Sequence, residues 1–534
     1  LAHQQRILCI NAHATTQNPT QPNASAVGIE GGRIAFVGTN EEAKLWQKPS
    51  DCVIDCQQLT LLPGIIDSHF HLELGSESLD KINLSNVQTL EDLKQTILSY
   101  LHQHPQKSHL VGHGLLYSLP TRISLSRKHL DEFIADRPLI LFAYDGHTAW
   151  ANTCALAAAG LLHGKELPAG NEIVIGEDGT ATGELREPQA YNPVLDLIPP
   201  LSASQKKSLI QQGCRLAHQF GITSVHNMSG SLDLLLLFAE MEKQGELTLR
   251  LLMPLSITPQ TTLAEINAYL EASDNINRQK IHSRAAKFFM DGVIESYTGC
   301  LIEGYPQRPD LIPEAQYSLE EFIELARFCH QKGMQIFTHA VGDGAVRRTL
   351  DGYAAIQAEL PQPNLHHRIE HIEVIHPQDL PRFEALGVIP SMQPLHCPPS
   401  AQGVDIWTER VGKERWKYSF AWKTIRSAAK RLIFGSDWPV VSLNPFLGFE
   451  AALSRKPWQD GDPEQKQSIQ EIISSYTIDA AYAENQTLQK GMIKEGMLAD
   501  LVLLSQDIFA LPTEEIGKVV PVLTICNGEV VYKA

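Results

Sequence analysis

The sequence predicts an α/β chain: a (β/α)8 TIM-like barrel, a small β-sandwich domain built from both termini, and a large insertion after the first barrel strand. Three observations carry this. Eight strand-like apolar runs alternate with helical stretches through the middle of the chain, the arrangement of a barrel whose functional residues sit at the C-terminal strand ends. Several of those runs end in histidine or aspartate. Both chain ends carry short hairpin patterns instead. At 534 residues the chain exceeds the usual single-domain size, which leaves room for appendages. Its hydrophobic content of 43% and charged content of 20% are ordinary for a globular enzyme.

The elements follow in order. Residues 1–60 form the first part of the sandwich, with Ala26-Val-Gly-Ile-Glu-Gly-Gly-Arg-Ile-Ala-Phe-Val-Gly38 reading as two strands around a Gly-Gly turn. The barrel spans 61–488. Its first strand starts with Leu61 and Leu62, continues through Ile65 and Ile66 after the interruption at Pro63-Gly64, and ends in His69-Phe70-His71. Strand residues two apart share a face, so His69 and His71 project together, half of a metal site. An insertion over about 72–215 follows. It contains Leu139-Ile-Leu-Phe-Ala-Tyr-Asp-Gly-His-Thr-Ala-Trp-Ala-Asn152 and a helix ending near Ala159-Gly160, and it reads as a lobe over the barrel mouth, a substrate lid.

The remaining strands are Gly221–His226, Thr248–Leu255, Ala286–Met290, Met334–His339, His367–Ile372, Val388–Gln393 and Arg431–Ser436. Helical segments such as Leu319–Lys332 and Pro377–Leu386 separate them. Residues 489–534 complete the sandwich with the strand Ala499–Leu504 and a hairpin about Asn527-Gly528.

The net charge of −17 argues against nucleic acid, which needs a basic footprint, and against anionic membrane surfaces. No apolar run approaches the roughly 20 residues that span a bilayer. The expected partner is a small-molecule substrate, and a homo-oligomer stays open. Nine scattered cysteines suit a reducing, cytoplasmic compartment better than a disulfide framework. Cys52 and Cys56 are the only close pair and read as structural. The chain begins at Leu1, so the N-terminus reads as processed or trimmed.

Chemistry gathers at the strand ends. Lys287 lies on the fourth strand with Phe289 and Asp291 on its face; His339 ends the fifth, His371 the sixth, and Asp437 follows the eighth. A lone strand-end histidine is usually structural. Five His/Asp groups at one end of a barrel point to a divalent metal, and imidazole with carboxylate suits Zn²⁺ and its first-row neighbours. His147 and Asn152 in the insertion read either as substrate contacts or as parts of a hydrogen-bonded loop, and Gln393 and His396 after the seventh strand are expected to contact substrate. His226, ending the second strand, is either a further such contact or, more in keeping with its place, a structural support for the site. His102, His104 and His109 read as solvated.

The order His-x-His, Lys, His, His, Asp on strands one, four, five, six and eight resembles the amidohydrolase superfamily. The closer resemblance is to its N-substituted formamide deformylase-like branch, amidohydrolase family 3. The motifs that carry it are Pro63-Gly-Ile-Ile-Asp-Ser-His-Phe-His71, Asp145-Gly-His-Thr-Ala-Trp-Ala-Asn152, Thr338-His-Ala-Val-Gly-Asp-Gly-Ala345, Arg368-Ile-Glu-His371, Ser391-Met-Gln-Pro-Leu-His396, Gly435-Ser-Asp-Trp-Pro439 and Gly496-Met-Leu-Ala-Asp-Leu501. Asn227 stands where the family pattern leads one to expect Asp. The resemblance implies that His69, His71 and Asp437 bind one metal, His339 and His371 a second, and a carboxylated Lys287 bridges them. It implies hydrolysis of a non-peptide C–N bond, such as that of an N-acyl or N-formyl amine. Metal binding lowers the pKa of water from 15.7 to roughly 7, and Asp437 would shuttle the proton to the leaving amine. The rival readings are a mononuclear aminohydrolase that deaminates a ring and a non-catalytic metal-binding barrel.

Overall fold

The computed structural model describes residues 6–144, 146, 148–167, 171–276, 279–311, 313–399 and 406–534. Two compact units make up the chain: one runs to His71 and from Cys214 to Ala534, the other is Leu72–Gly213.

An eight-stranded parallel sheet organises the first unit. Its strands are β1 (Ile65–Phe70), β2 (Ile222–Asn227), β3 (Arg250–Ser256), β4 (Ile281–Phe289), β5 (Gln335–Ala340), β6 (Arg368–His371), β7 (Ile389–Met392) and β8 (Ile433–Phe434). Neighbours in sequence are neighbours in the sheet from β1 to β8. The sheet closes nearly into a barrel where β8 returns to β1. There Phe70 bridges Trp438 in parallel, the Asp437 N–H donates to the His69 carbonyl at 2.7 Å, and the His71 N–H donates to the Trp438 carbonyl at 3.0 Å. The seam needs a residue without a side chain: a Cβ on Gly435 would stand 2.3 Å from the His69 nitrogen.

Local sequence explains the elements around this sheet. Helix Leu319–Gln331 starts at a capping box in which Ser318 and Glu321 satisfy each other's backbone N–H. Its apolar face buries Phe322, Ala326 and Cys329. Helix Leu380–Leu386 stops at Gly387, whose φ of 60° lets the chain turn.

The first strand departs from its expected course. Leu61 and Leu62 lie on a separate strand, Thr60–Pro63, which pairs with Leu501–Leu504 and His13–Thr15 and not with the barrel. Pro63 ends that strand, and Gly64 passes so close to Thr223 that a Cβ would lie 2.3 Å from its hydroxyl. The chain changes sheets at this point, and the barrel begins at Ile65.

Two smaller sheets lie in the same unit; the N-terminal residues supply all of one, and both termini contribute to the other. A four-stranded sheet orders Arg33–Gly38, Ala26–Glu30, Ile7–Ile10 and Cys52–Asp55. A six-stranded sheet orders Glu529–Lys533, Pro521–Cys526, Leu501–Leu504, Thr60–Pro63, His13–Thr15 and Asn23–Ala24. One apolar cluster, including Ile7, Val27, Ile29, Leu61, Leu501 and Ile525, joins residues of both. The C-terminal hairpin turns at Asn527 and Gly528 with φ of 56° and 76°, the left-handed pair that a two-residue hairpin turn requires.

The second unit has a six-stranded mixed sheet of its own, ordered Glu172–Ile175, Ala181–Arg186, Thr148–Ala151, Leu139–Ala143, Leu110–Leu115 and Ile82–Asn83. The run that the sequence marked as Leu139–Asn152 supplies its two central strands, followed by helix Thr153–Ala158. Among the described residues, no helix is long and apolar enough to cross a membrane.

Candidate metal centre

The C-terminal ends of β1, β6 and β8 bring the ligand-type side chains together. His71 Nε2 lies 3.1 Å and His69 Nε2 3.4 Å from the same oxygen of Asp437, Oδ1. The other oxygen, Oδ2, lies 3.6 Å from His396 Nε2. Ligand atoms of His69, His71 and Asp437 all fall within 4.8 Å of one another, and so do those of His371, His396 and Asp437. The His371 ring sits between its neighbours, 4.7 Å from the His69 ring and 4.4 Å from the His339 ring. His339 Nε2 is 3.1 Å from the Gly292 carbonyl and donates to it, which leaves Nδ1 as that ring's acceptor. Lys287 is fully buried on β4; its Nζ has no hydrogen-bond partner among the described residues and lies 5.1 Å from the Phe289 ring.

Burial sets the protonation states. It pushes the His69 imidazole down to about 4 and that of His339 to about 3, and it holds His371 well below the ordinary value, so the rings are neutral and able to ligate. Burial alone would raise the Asp437 carboxyl, but His69, His71 and His371 around it hold it well below the usual carboxylate range. Lys287 is pushed down to about 8 by burial, against the pull of Glu370 and Asp437.

This donor set fits a divalent cation. Neutral imidazoles and one carboxylate suit Zn²⁺ and its neighbours. Asp437 Oδ1 and His396 Nε2 are buried yet hydrogen-bond to nothing among the described residues, an arrangement that buried polar atoms avoid unless something else meets them.

Further polar residues support these side chains. His69 Nδ1 is 2.8 Å from Glu370 Oε2, and Glu370 Oε1 is 2.9 Å from Arg368 Nε. Asp67 accepts the N–H of His69 at 3.1 Å and that of Ser436 at 2.9 Å, which clamps β1 to β8; burial pushes its carboxyl up to about 7. Asp291 accepts the N–H groups of Cys300, Val341 and Gly342, each at 2.9 Å, and so braces the loop after β5. Glu373 Oε2 accepts from Trp407 Nε1 at 2.6 Å, and its Oε1 lies 3.6 Å from His396 Nδ1. Sequence reasoning missed Glu370, Glu373, Asp67 and the bracing role of Asp291. A signal for the first existed in Arg368-Ile-Glu370, two opposite charges on one face of a buried strand, directly before His371.

The expected substrate contacts fare unevenly. Gln393 and His396 lie at the end of β7 beside this cluster, and Gln393 Nε2 is buried without a partner. His226 is buried at the barrel interior, where Nδ1 accepts from Arg368 at 2.7 Å and Nε2 stands 3.3 Å from Glu484, the surroundings of a structural support. Asn152 is likewise withdrawn. Its Oδ1 accepts from Leu139 and Ala155, and its Nδ2 donates to the Ile134 and Arg137 carbonyls, so every polar atom is spent on backbone. His147 lies outside the described residues. The departure at Asn227 leaves the ligands untouched: Asn227 Nδ2 donates to the Ser229 carbonyl, and Ser229 Oγ is 3.2 Å from His71 Nδ1.

Comparison with known proteins bears on the family and the fold. The family described as "Amidohydrolase family" matches residues 52–532. YtcJ of Bacillus subtilis, a protein named for the same family, is 27% identical over 520 residues, covering 95% of this chain and 96% of its own. The N-substituted formamide deformylase of Arthrobacter pascens is 23% identical over 553 residues, 100% of this chain and 99% of its own. In fold, the chain is similar to the crystal structure of an uncharacterized metal-dependent hydrolase from Pyrococcus furiosus, with a TM-score of 0.75 at 24% identity over 94% of this chain and 99% of that one.

Proposed function

The chain belongs to the amidohydrolase family, and from that premise we propose that it is a metal-dependent hydrolase of a non-peptide C–N bond, such as that of an N-acyl or N-formyl amine. One observation carries the reading: His69, His71 and Asp437 converge, with both imidazole Nε2 atoms within 3.4 Å of one carboxylate oxygen that has no hydrogen bond. These three residues would hold a divalent cation, which supplies Lewis acidity toward a carbonyl and lowers the pKa of water.

The chain's own groups divide the remaining work. Asp437, ionised and buried, is placed to accept the water's proton and deliver it to the leaving amine. Gln393 Nε2 and His396 Nε2, buried without partners, are assigned to the substrate's polar atoms. His339 and His371 would hold a second cation with Lys287 as a carbamate. Formation of that carbamate needs a neutral amine to attack carbon dioxide, with loss of one proton. Burial of Lys287 favours that neutral amine. The rival, a mononuclear aminohydrolase, draws on one fact: the Lys287 ammonium faces a ring and touches no ligand by hydrogen bond.

Metal analysis with an activity screen tests the reading. Dialysis against chelator is expected to abolish hydrolysis of N-acyl or N-formyl amines, and Zn²⁺, Mn²⁺ or Co²⁺ to restore it. Two ions per chain, falling to one in Lys287→Ala, support the binuclear form; one ion in both proteins supports the aminohydrolase. Full turnover by metal-free protein sinks the assignment.

A further inference from the structure

A line of charged side chains runs through the interior of the barrel to His69. Lys490 Nζ lies 2.7 Å from Glu484 and donates to Ser224 Oγ at 2.8 Å. Glu484 stands 3.3 Å from His226 Nε2, and His226 Nδ1 accepts from Arg368 at 2.7 Å. Arg368 is fixed on every side: one terminal nitrogen donates to the Ser68 carbonyl at 2.6 Å and to Ser391 Oγ at 3.0 Å, and its plane lies 4.4 Å over the Phe337 ring. That same nitrogen is 3.2 Å from Glu370 Oε2, the oxygen that meets His69 Nδ1 at 2.8 Å.

We propose that Glu370, clamped by Arg368, is the positioning residue that decides which nitrogen of His69 faces the cation. The inference rests on the reading of His69 as a ligand. A carboxylate accepts hydrogen bonds and donates none, so the proton on the neutral His69 ring must sit on Nδ1. Nε2 then presents a lone pair to Asp437 Oδ1 at 3.4 Å. Two acceptors at that distance repel each other, and a cation held by His69 and Asp437 would offset that repulsion. The side chains of His69 and Glu370 are 1% and 0% exposed, so no water competes for the arrangement.

Energetics favour an orienting role over mere stabilisation. Buried charge pairs contribute little net stability, because desolvation offsets their attraction, and apolar residues of similar volume often serve as well. What apolar filling cannot supply is a fixed tautomer. Glutamine at position 370 would offer one oxygen where two are used. If that oxygen faced Arg368, an amide N–H₂ would face His69 Nδ1 and drive the ring proton to Nε2.

The test measures Zn²⁺ affinity by chelator competition in wild type, Glu370→Gln and His69→Ala, with thermal melts as the control for folding. Glu370→Gln is expected to bind Zn²⁺ about 10–100-fold more weakly, the range for losing the acceptor behind a ligating histidine. Glu370→Asp keeps the charge for Arg368 but withdraws the carboxylate from His69, and it gives the same result if the glutamine variant does not fold. Nitrogen NMR of histidine-labelled, metal-free wild type is the independent readout; it should show the His69 signal, identified by its loss in His69→Ala, with Nδ1 protonated. Unchanged affinity in a folded Glu370 variant, or a proton on Nε2 in wild type, overturns the proposal while leaving the ligand set standing. Unchanged affinity in His69→Ala overturns the ligand reading itself and this proposal with it.

Discussion

Asp437 adopts φ of 63°, and His371 and Ile372 adopt 75° and 48°. Left-handed backbone of this kind costs a non-glycine residue about 1–3 kcal/mol, and it persists only where the surroundings fix it. At Asp437 the fixing contact is visible: its N–H is spent on the His69 carbonyl across the barrel seam, which aims the carboxylate at His69 and His71. Asp437→Asn therefore keeps the backbone and the shape while removing the charge and the proton acceptor. We expect kcat to fall by about 10²–10⁴-fold, the contribution of a general acid–base group, with the melting temperature near that of wild type. Steady-state kinetics beside a thermal melt checks this, and a variant with wild-type kcat would exclude Asp437 as the shuttle. Single residues of this kind were legible in the sequence because the His-x-His spacing and a strand-terminal Asp are local signals. Glu370 carried a local signal in its charged strand, but its pairing with His69 did not, because the two lie 301 positions apart and no local pattern announces the contact.

At the scale of elements, sequence showed where strands lie better than which sheet they join. All eight barrel strands overlap the runs expected for them, most of them because they are apolar stretches bounded by turn residues; the fourth starts five residues earlier than expected, at Ile281. Thr60–Pro63 was misplaced because its apolar pattern continues into β1, and the change of sheet rests on a tertiary contact between Gly64 and Thr223. The same limit applies to the sheet of the second unit, whose strands pair partly in parallel and partly antiparallel. The junction between β3 and the terminal sheet shows what such contacts are worth. Arg250 Nε meets Asp500 Oδ2 at 2.7 Å, with both side chains 5% exposed. Asp500→Asn leaves Arg250 buried without its counter-charge, which costs roughly 3–5 kcal/mol. The pH dependence has a definite sign. Burial would raise the Asp500 carboxyl, but Arg250 holds it below its ordinary value. Its stabilising contribution is therefore fully present above the unfolded value of about 3.9 and is lost as pH falls through the lower folded value. Thermal melts between neutral pH and the acid limit should show wild type losing this stability in that window and Asp500→Asn losing less there, from a lower starting point. Equal acid slopes in the two proteins would remove the pair from the account.

For the whole molecule, the terminal sheets bear on whether the barrel can stand without them. Residues 489–534 supply three of the six strands in the larger terminal sheet: Leu501–Leu504, Pro521–Cys526 and Glu529–Lys533. Their removal would strip Leu501, Leu523 and Ile525 from a shared apolar cluster and leave Leu61, Val27 and Ile29 facing water. It would also strand two buried charges inside the barrel unit, Arg250 without Asp500 and Glu484 without Lys490. Each broken buried pair costs roughly 3–5 kcal/mol, and each large apolar side chain returned to water a further 1.5–3 or so. Native proteins hold only about 5–15 kcal/mol in reserve, so these losses together are as large as the whole reserve. Deletion of 489–534 is accordingly expected to yield a chain with no cooperative unfolding transition and no stoichiometric binding of Zn²⁺, even though every proposed ligand remains in it. Circular dichroism melts and metal analysis of the truncated chain make the comparison. A truncated chain that melts cooperatively and binds Zn²⁺ with wild-type stoichiometry would show that the barrel folds alone. The two buried ion pairs would then have to be dispensable, against the cost assigned to them above.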